Sequence, residues 1–167
     1  MRGRIPRRVG LIVFSGQLGA VHVGLPLAVS RSGRRHGWRN GARRPGRANL
    51  GGLLPLLAGT ALLGWAVAEH YGAAADESWS TRQALEPEYL VTEGPYRFSR
   101  NPMYVGGLAI WGGWALLLGS APVAAGLAVL TGIYRLGVVW EERTLEKAWG
   151  DAWLDYVTRT SRWVGRR

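Results

Sequence analysis

The fold turns on Gly94-Pro95-Tyr96-Arg97-Phe98-Ser99-Arg100-Asn101-Pro102-Met103-Tyr104-Val105-Gly106. To its left lies a polar stretch carrying Asp76, Glu77, Glu86, Glu88 and Glu93. To its right the chain is uncharged and apolar as far as Tyr134. A dense group of aromatic, basic and turn-forming residues therefore stands where water-soluble chain becomes membrane chain. Polar groups are costly to place at a membrane edge, which makes them functional candidates by default. The stretch reads as the lip of an active site.

Composition supports a membrane class. The 167 residues fit one domain, and the absence of cysteine excludes disulfides, thiolate metal sites and cysteine nucleophiles. The formal charge of +10 first suggests nucleic acid or an anionic membrane surface. The basic residues are arginines apart from Lys147, and they are segregated from long uncharged runs. A soluble basic protein would mix the two.

Working toward the N-terminus, residues 50–68 carry no charge and read as a spanning helix ending near Glu69, His70 and Tyr71. Its small residues, among them Gly52 and Gly59, allow close helix approach. His70 beside an aromatic at a membrane edge reads as interfacial. Before it, residues 31–47 hold seven arginines with several glycines, Pro45 and no acid, which reads as a loop. Only Trp38 interleaves an aromatic there, so nucleic acid is not the expected partner and an anionic lipid surface is. Residues 9–30 are uncharged and follow Arg2, Arg4, Arg7 and Arg8, which suits a first span. A secretory signal is the alternative, although apolar residues continue past any short signal core.

Working toward the C-terminus, residues 104–134 are too long for one simple helix. Gly119-Ser120-Ala121-Pro122 divides them into two helices, a hairpin whose ends face the same side of the membrane. That returns Arg135, Glu141 and Glu142 to the neighbourhood of Arg97 and Tyr104. Beyond, Leu145, Trp149, Trp153 and Tyr156 recur at helical spacing and predict an interfacial amphipathic helix. The tail from Arg159 is basic. Four spans place both termini and residues 72–103 on one side, while the positive-inside rule pulls the arginine loop the other way.

The membrane edge thus gathers Tyr96, Arg97, Arg100, Asn101 and Tyr104 with Glu141 and Glu142. Adjacent helical residues point about 100° apart, so one carboxylate can enter a pocket while the other meets a base such as Arg100. Acids with aromatic rings suit a cationic or polyhydroxyl ligand. An ion pair at a helix end would be the purely structural alternative.

The motif Gly94-Pro95-Tyr96-x-x-x-Arg100-Asn101-Pro102-x-Tyr104-x-Gly106 resembles the signature of the isoprenylcysteine carboxyl methyltransferase and phospholipid methyltransferase superfamily. So do Glu141-Glu142-x-x-Leu145, the tail Trp149-Gly150-x-x-Trp153-x-x-Tyr156 and the lead-in Leu90-Val91-Thr92. The resemblance spans residues 50–162, with residues 1–49 a basic N-terminal segment of one membrane methyltransferase domain. It implies an all-α integral membrane helical bundle of about four transmembrane helices with a C-terminal hairpin. It implies S-adenosylmethionine as cofactor and a lipophilic acceptor (carboxylate, amine or phospholipid headgroup) entering from the bilayer. A bacterial cytoplasmic membrane, with the site facing the cytosol, is the expected setting. By that resemblance Leu90 and Val91 contact the cofactor through backbone groups, Tyr96, Asn101, Pro102 and Tyr104 wall it, and Glu141 takes one of its polar groups. Arg100 and Glu142 order the site or meet the acceptor. Many members have His where this chain has Asn101, and an amide cannot act as a general base.

Two other classes compete. A nicotinamide-dependent membrane reductase of the steroid-reductase-like kind has a similar Arg-His-Pro-x-Tyr arrangement, but Gly107 stands where those enzymes usually carry an acid. A non-enzymatic basic protein binding anionic lipid leaves the acidic pair and the motif unexplained. No glycine-rich phosphate loop and no metal-ligand spacing of histidines occurs.

Overall fold

The computed structural model describes residues 5–37, 45–72, 78–79 and 89–165. The middle of the arginine-rich loop, with Trp38, and most of the acidic connector, with Pro87, lie outside these. Helix α1 (Arg7–Gly19) passes through a π-helical turn (Ala20–Gly24) into α2 (Leu25–Val29) and a 3-10 turn (Ser30–Ser32). A short α3 (Arg47–Leu50) precedes α4 (Leu53–Gly72). After the 3-10 turn Gly94–Arg97 come α5 (Pro102–Leu118) and α6 (Ala121–Arg159). Extended pairing among the described residues is confined to a two-residue antiparallel ladder between β1 (Ile5–Pro6) and β2 (Ser78–Trp79) and an isolated antiparallel bridge between Arg35 and Ser120.

Three stretches are long and apolar enough to cross a membrane, Ile12–Ser32, Arg47–Gly72 and Ala121–Arg159, and Pro102–Leu118 is a shorter apolar helix between them. The result is an all-α membrane bundle, as the segregated sequence predicts. Little of each span is buried within the protein, and Leu54, Leu57, Ile133 and Leu136 are exposed. Outward leucine and isoleucine on such helices suit contact with lipid.

Inside the bundle, α4 and α5 pack backbone against backbone. A Cβ added to Gly59 would lie 2.7 Å from the carbonyl oxygen of Gly106, and one added to Gly106 would lie 2.9 Å from that of Gly59. Gly52 and Gly113 repeat the contact one level away. Small residues are what allow membrane helices to pack this closely, where apolar burial gives no drive.

The α5–α6 hairpin turns at Gly119 and Ser120, and the Ser120 side chain accepts from Val123 N at 3.4 Å. This turn meets the loop after α2: His36 N donates to Gly119 O at 2.8 Å. Asn49 Nδ2 ties the same end together, donating to His36 O at 3.1 Å and Leu116 O at 2.8 Å. Loop and hairpin turn therefore share one end of the bundle, opposite the motif. Helix α6 does not stop after one span. It runs past Tyr134 and the acidic pair, and its direction changes only at Gly150, where φ is 47° and ψ is −119°. That left-handed backbone is open to glycine and strained for other residues.

Candidate active site at the membrane edge

The motif forms a knot of turns that leads into α5. Gly94-Pro95 starts the 3-10 turn, and Tyr96 is buried with its carbonyl oxygen accepting the Tyr156 hydroxyl at 2.7 Å. Burial, followed by the nearby Glu141 charge, pushes the Tyr96 phenol far above its usual range. Tyr96 is therefore a neutral donor throughout the working pH range. Arg97 leaves the knot and pairs with Glu93 at the surface.

Pro102 occupies the first position of α5, where its missing N–H costs nothing. Asn101, just before it, is buried at 5 % exposure. Its Nδ2 donates to Arg162 O at 3.0 Å and to Glu142 Oε1 at 3.3 Å, and its N–H donates to Ser99 Oγ at 3.0 Å. The amide thus serves as a brace between the motif, the acidic pair and the C-terminal tail.

The two adjacent glutamates point in different directions. Glu141 accepts the Tyr104 hydroxyl at 2.8 Å and lines a cavity of about 530 Å³. Glu142 turns to the other side of α6. It is held by Arg162 through Nε at 3.0 Å and Nη2 at 2.8 Å, with Arg100 Nη2 at 3.6 Å. Arg100 is itself buried, its guanidinium 5.6 Å from the centre of the Trp153 ring. The kink at Gly150 brings Trp153 and Tyr156 back onto the motif, so this part of the aromatic stripe packs within the protein.

The cavity is bounded by all four long helical stretches. Leu90, Val91, Tyr96, Arg100, Asn101, Pro102, Tyr104 and Glu141 all line it, whereas Glu142 does not. Tyr104 stacks edge-on against Tyr134 with ring centroids 4.7 Å apart. His70 also reaches the wall, its ring 5.5 Å from that of Tyr89. Among the described residues, no hydrogen bond occupies the backbone groups of Leu90 or Val91. A pocket of this size, mostly apolar with a few convergent polar groups, suits a small organic ligand.

The phospholipid methyltransferase family model matches residues 54–152, more than half of the chain and all of the motif, hairpin and acidic pair. The chain belongs to the phospholipid methyltransferase family. No curated protein and no solved structure matches it. Membership favours methyl transfer over the nicotinamide reductase and over the purely lipid-binding protein. Several residues that sequence reasoning missed join the site of this family member. Arg162, in the stretch read as a basic tail, anchors Glu142, and the tail is tied down further by Arg100 N donating to Ser161 O at 3.0 Å and Gly165 N to Phe98 O at 2.8 Å. Phe14, Gln17 and His22 bring the first segment to the cavity wall. Arg162 carried no pattern. Gln17 and His22 were legible only as polar interruptions in an apolar run.

Proposed function

We propose that this protein transfers the methyl group of S-adenosylmethionine to a lipophilic, membrane-associated acceptor. The observation that carries this reading is the convergence on one cavity of an uncommitted backbone stretch, several tyrosines and a single inward carboxylate. Each has a use. Backbone groups of Leu90 and Val91 would take the polar edge of an adenine or an amino-acid group. Tyr96 and Tyr104 offer rings to a sulfonium. Glu141, steadied by the Tyr104 hydroxyl, would hold ribose hydroxyls or an ammonium. The donor set therefore fits the cofactor.

Bound S-adenosylmethionine would supply an electrophilic methyl group on a cationic sulfur. What the chain contributes is placement and dryness, which dominate such transfers. Pro102 and the Tyr104 ring narrow the cavity from the α5 side. Glu142 and Arg162 lie behind the wall and, with Arg100 and Asn101 on it, fix the angle at which the motif meets α6. Arg100 also touches the cavity, so it can meet a polar acceptor group. The acceptor would enter laterally between helices whose outer faces are apolar. The whole chain acts as one catalytic unit, with the site on the cytosolic side of a bacterial membrane.

The test is transfer of radiolabelled methyl from S-adenosylmethionine into the lipid fraction of proteoliposomes. Label should enter lipid with the wild type and fall at least about tenfold with Glu141→Gln, the scale of one lost charge-assisted hydrogen bond. Label that stays in the aqueous fraction for a range of lipid headgroups would contradict the proposal.

A further inference from the structure

The first membrane segment carries a polar site outside both the motif and the family match. His22 is 4 % exposed and sits in the π-helical turn Ala20–Gly24. Such turns disturb the regular ladder and recur at functional sites. Here α5 is built to receive one. Trp111 Nε1 donates to Val21 O at 3.2 Å and Trp114 Nε1 to His22 O at 2.9 Å. A Cβ on Gly107 would come within 2.5 Å of His22 Nε2, so glycine there makes room for the imidazole.

The contacts also fix the tautomer. Leu18 O, 3.0 Å from Nδ1, can only accept, so Nδ1 carries a proton. In the neutral ring Nε2 then holds a lone pair, and the Tyr134 hydroxyl at 3.1 Å donates to it. Both residues line the cavity, and Tyr134 stacks on the same Tyr104 that binds Glu141. Gly107 lies five residues beyond Pro102, about 7.5 Å at 1.5 Å per residue, so His22 sits close to the motif in depth. An ionisable side chain in a membrane span is costly, and one in a prepared socket on a cavity wall calls for a function.

We propose that His22, acting through Tyr134, is the proton acceptor of this site for an acceptor phospholipid that carries an amine. The proposal rests on the methyltransferase reading above. Asn101 cannot titrate, and Glu141, the one carboxylate on the wall among the described residues, is committed to the cofactor in that reading. Among the described residues the only guanidinium on the cavity wall is that of Arg100, already beside Glu142, which poorly equips the site for a carboxylate acceptor. An ammonium nitrogen has no lone pair. One of its protons passes to the Tyr134 oxygen as the Tyr134 proton passes to His22 Nε2. The products are a neutral amine, free to accept a methyl group, and an imidazolium donating to Leu18 O and to Tyr134. The imidazolium returns its proton to water after turnover. The charged and titratable groups that line the same cavity are Glu141 and Tyr104 beyond Tyr134, His70 and Tyr71 on α4, Tyr89, Tyr96 and Arg100 ahead of α5, and Tyr156 near the end of α6.

The test compares wild type, His22→Gln and Tyr134→Phe as full chains in bilayers containing phosphatidylethanolamine as the amine probe. Methyl transfer is followed from about pH 6 to 10, through imidazole and amine titration. His22→Gln should be about 100-fold slower near neutrality, the usual scale for a lost general base. That defect should close as rising pH deprotonates the amine directly, with S-adenosylmethionine binding unchanged. Tyr134→Phe, which keeps the ring packing, should show the same closing defect. Wild-type rates in His22→Gln, or a loss equal at every pH, would overturn the proposal. In ¹⁵N-histidine spectra of the cofactor-free protein the Nδ1–H tautomer is expected, and the Nε2–H tautomer would also overturn it. A wild type that binds no S-adenosylmethionine and transfers nothing would remove the underlying methyltransferase reading and this proposal with it, and the flat binding isotherm tells the two failures apart.

Discussion

At the residue scale the acidic pair divides the labour. Glu141 accepts the Tyr104 hydroxyl and, among the described residues, keeps its remaining acceptor capacity toward the cavity. Glu142 is surrounded by two guanidiniums and an amide and has little to offer a ligand. Removing Glu142 would leave Arg100 as a buried charge stripped of its carboxylate. Such losses cost about 3–5 kcal/mol. Glu142→Ala is therefore expected to unfold in detergent at a markedly lower temperature than wild type, whereas Glu141→Gln should melt almost normally and lose ligand binding. Asn101→Asp should resemble Glu142→Ala, since it replaces a donor to Glu142 with a second negative charge. A thermal scan in which Asn101→Asp matched wild type would show that the amide does not brace the site. The divergence of the pair was legible from the 100° step between helical neighbours, together with the nearness of Arg100 in the motif. The grip of Arg162 was not, because nothing in a basic tail says that it folds back across the motif.

At the element scale, two glycine features set how the helices meet. Gly59 and Gly106 let α4 and α5 touch through their backbones, and this contact fixes the α5 end that carries Asn101, Pro102 and Tyr104. Gly59→Leu would push a branched chain into the Gly106 carbonyl, and overpacking of this kind costs about 1–3 kcal/mol. Lowered thermal stability and lost ligand binding should appear together. Gly150 does the equivalent for α6. Alanine would have to adopt its left-handed backbone at about 1–3 kcal/mol, or straighten the helix and withdraw Trp153 and Tyr156 from the motif. Binding in Gly150→Ala should weaken more than stability falls, and the reverse ordering would mean that the kink is unimportant to the site. The hairpin turn was legible in Gly119-Ser120-Ala121-Pro122, because proline and glycine punctuate a helix locally. The continuation of α6 past the apolar span as far as the kink at Gly150 was not, since an apolar span and an amphipathic stretch differ in composition and one helix can run through both.

At the scale of the whole molecule, charge segregation is what made the fold readable. Long uncharged runs bounded by arginines demand helices that satisfy their own backbone, and four such stretches form the bundle. The family match covers the part of the chain that carries most of the site, yet His22 before it and Tyr156 and Arg162 after it complete the cavity and its supports. Their contributions depend on contacts across the sequence, which no local pattern encodes. The most direct test is calorimetric titration of S-adenosylmethionine into the detergent-purified full chain, beside Glu141→Gln and Tyr104→Ala. Saturable one-to-one binding by the wild type, lost in both variants while their helical circular dichroism persists, is the predicted result. A folded wild type that gives no heat and no saturation would contradict the assignment of this cavity to a methyl donor.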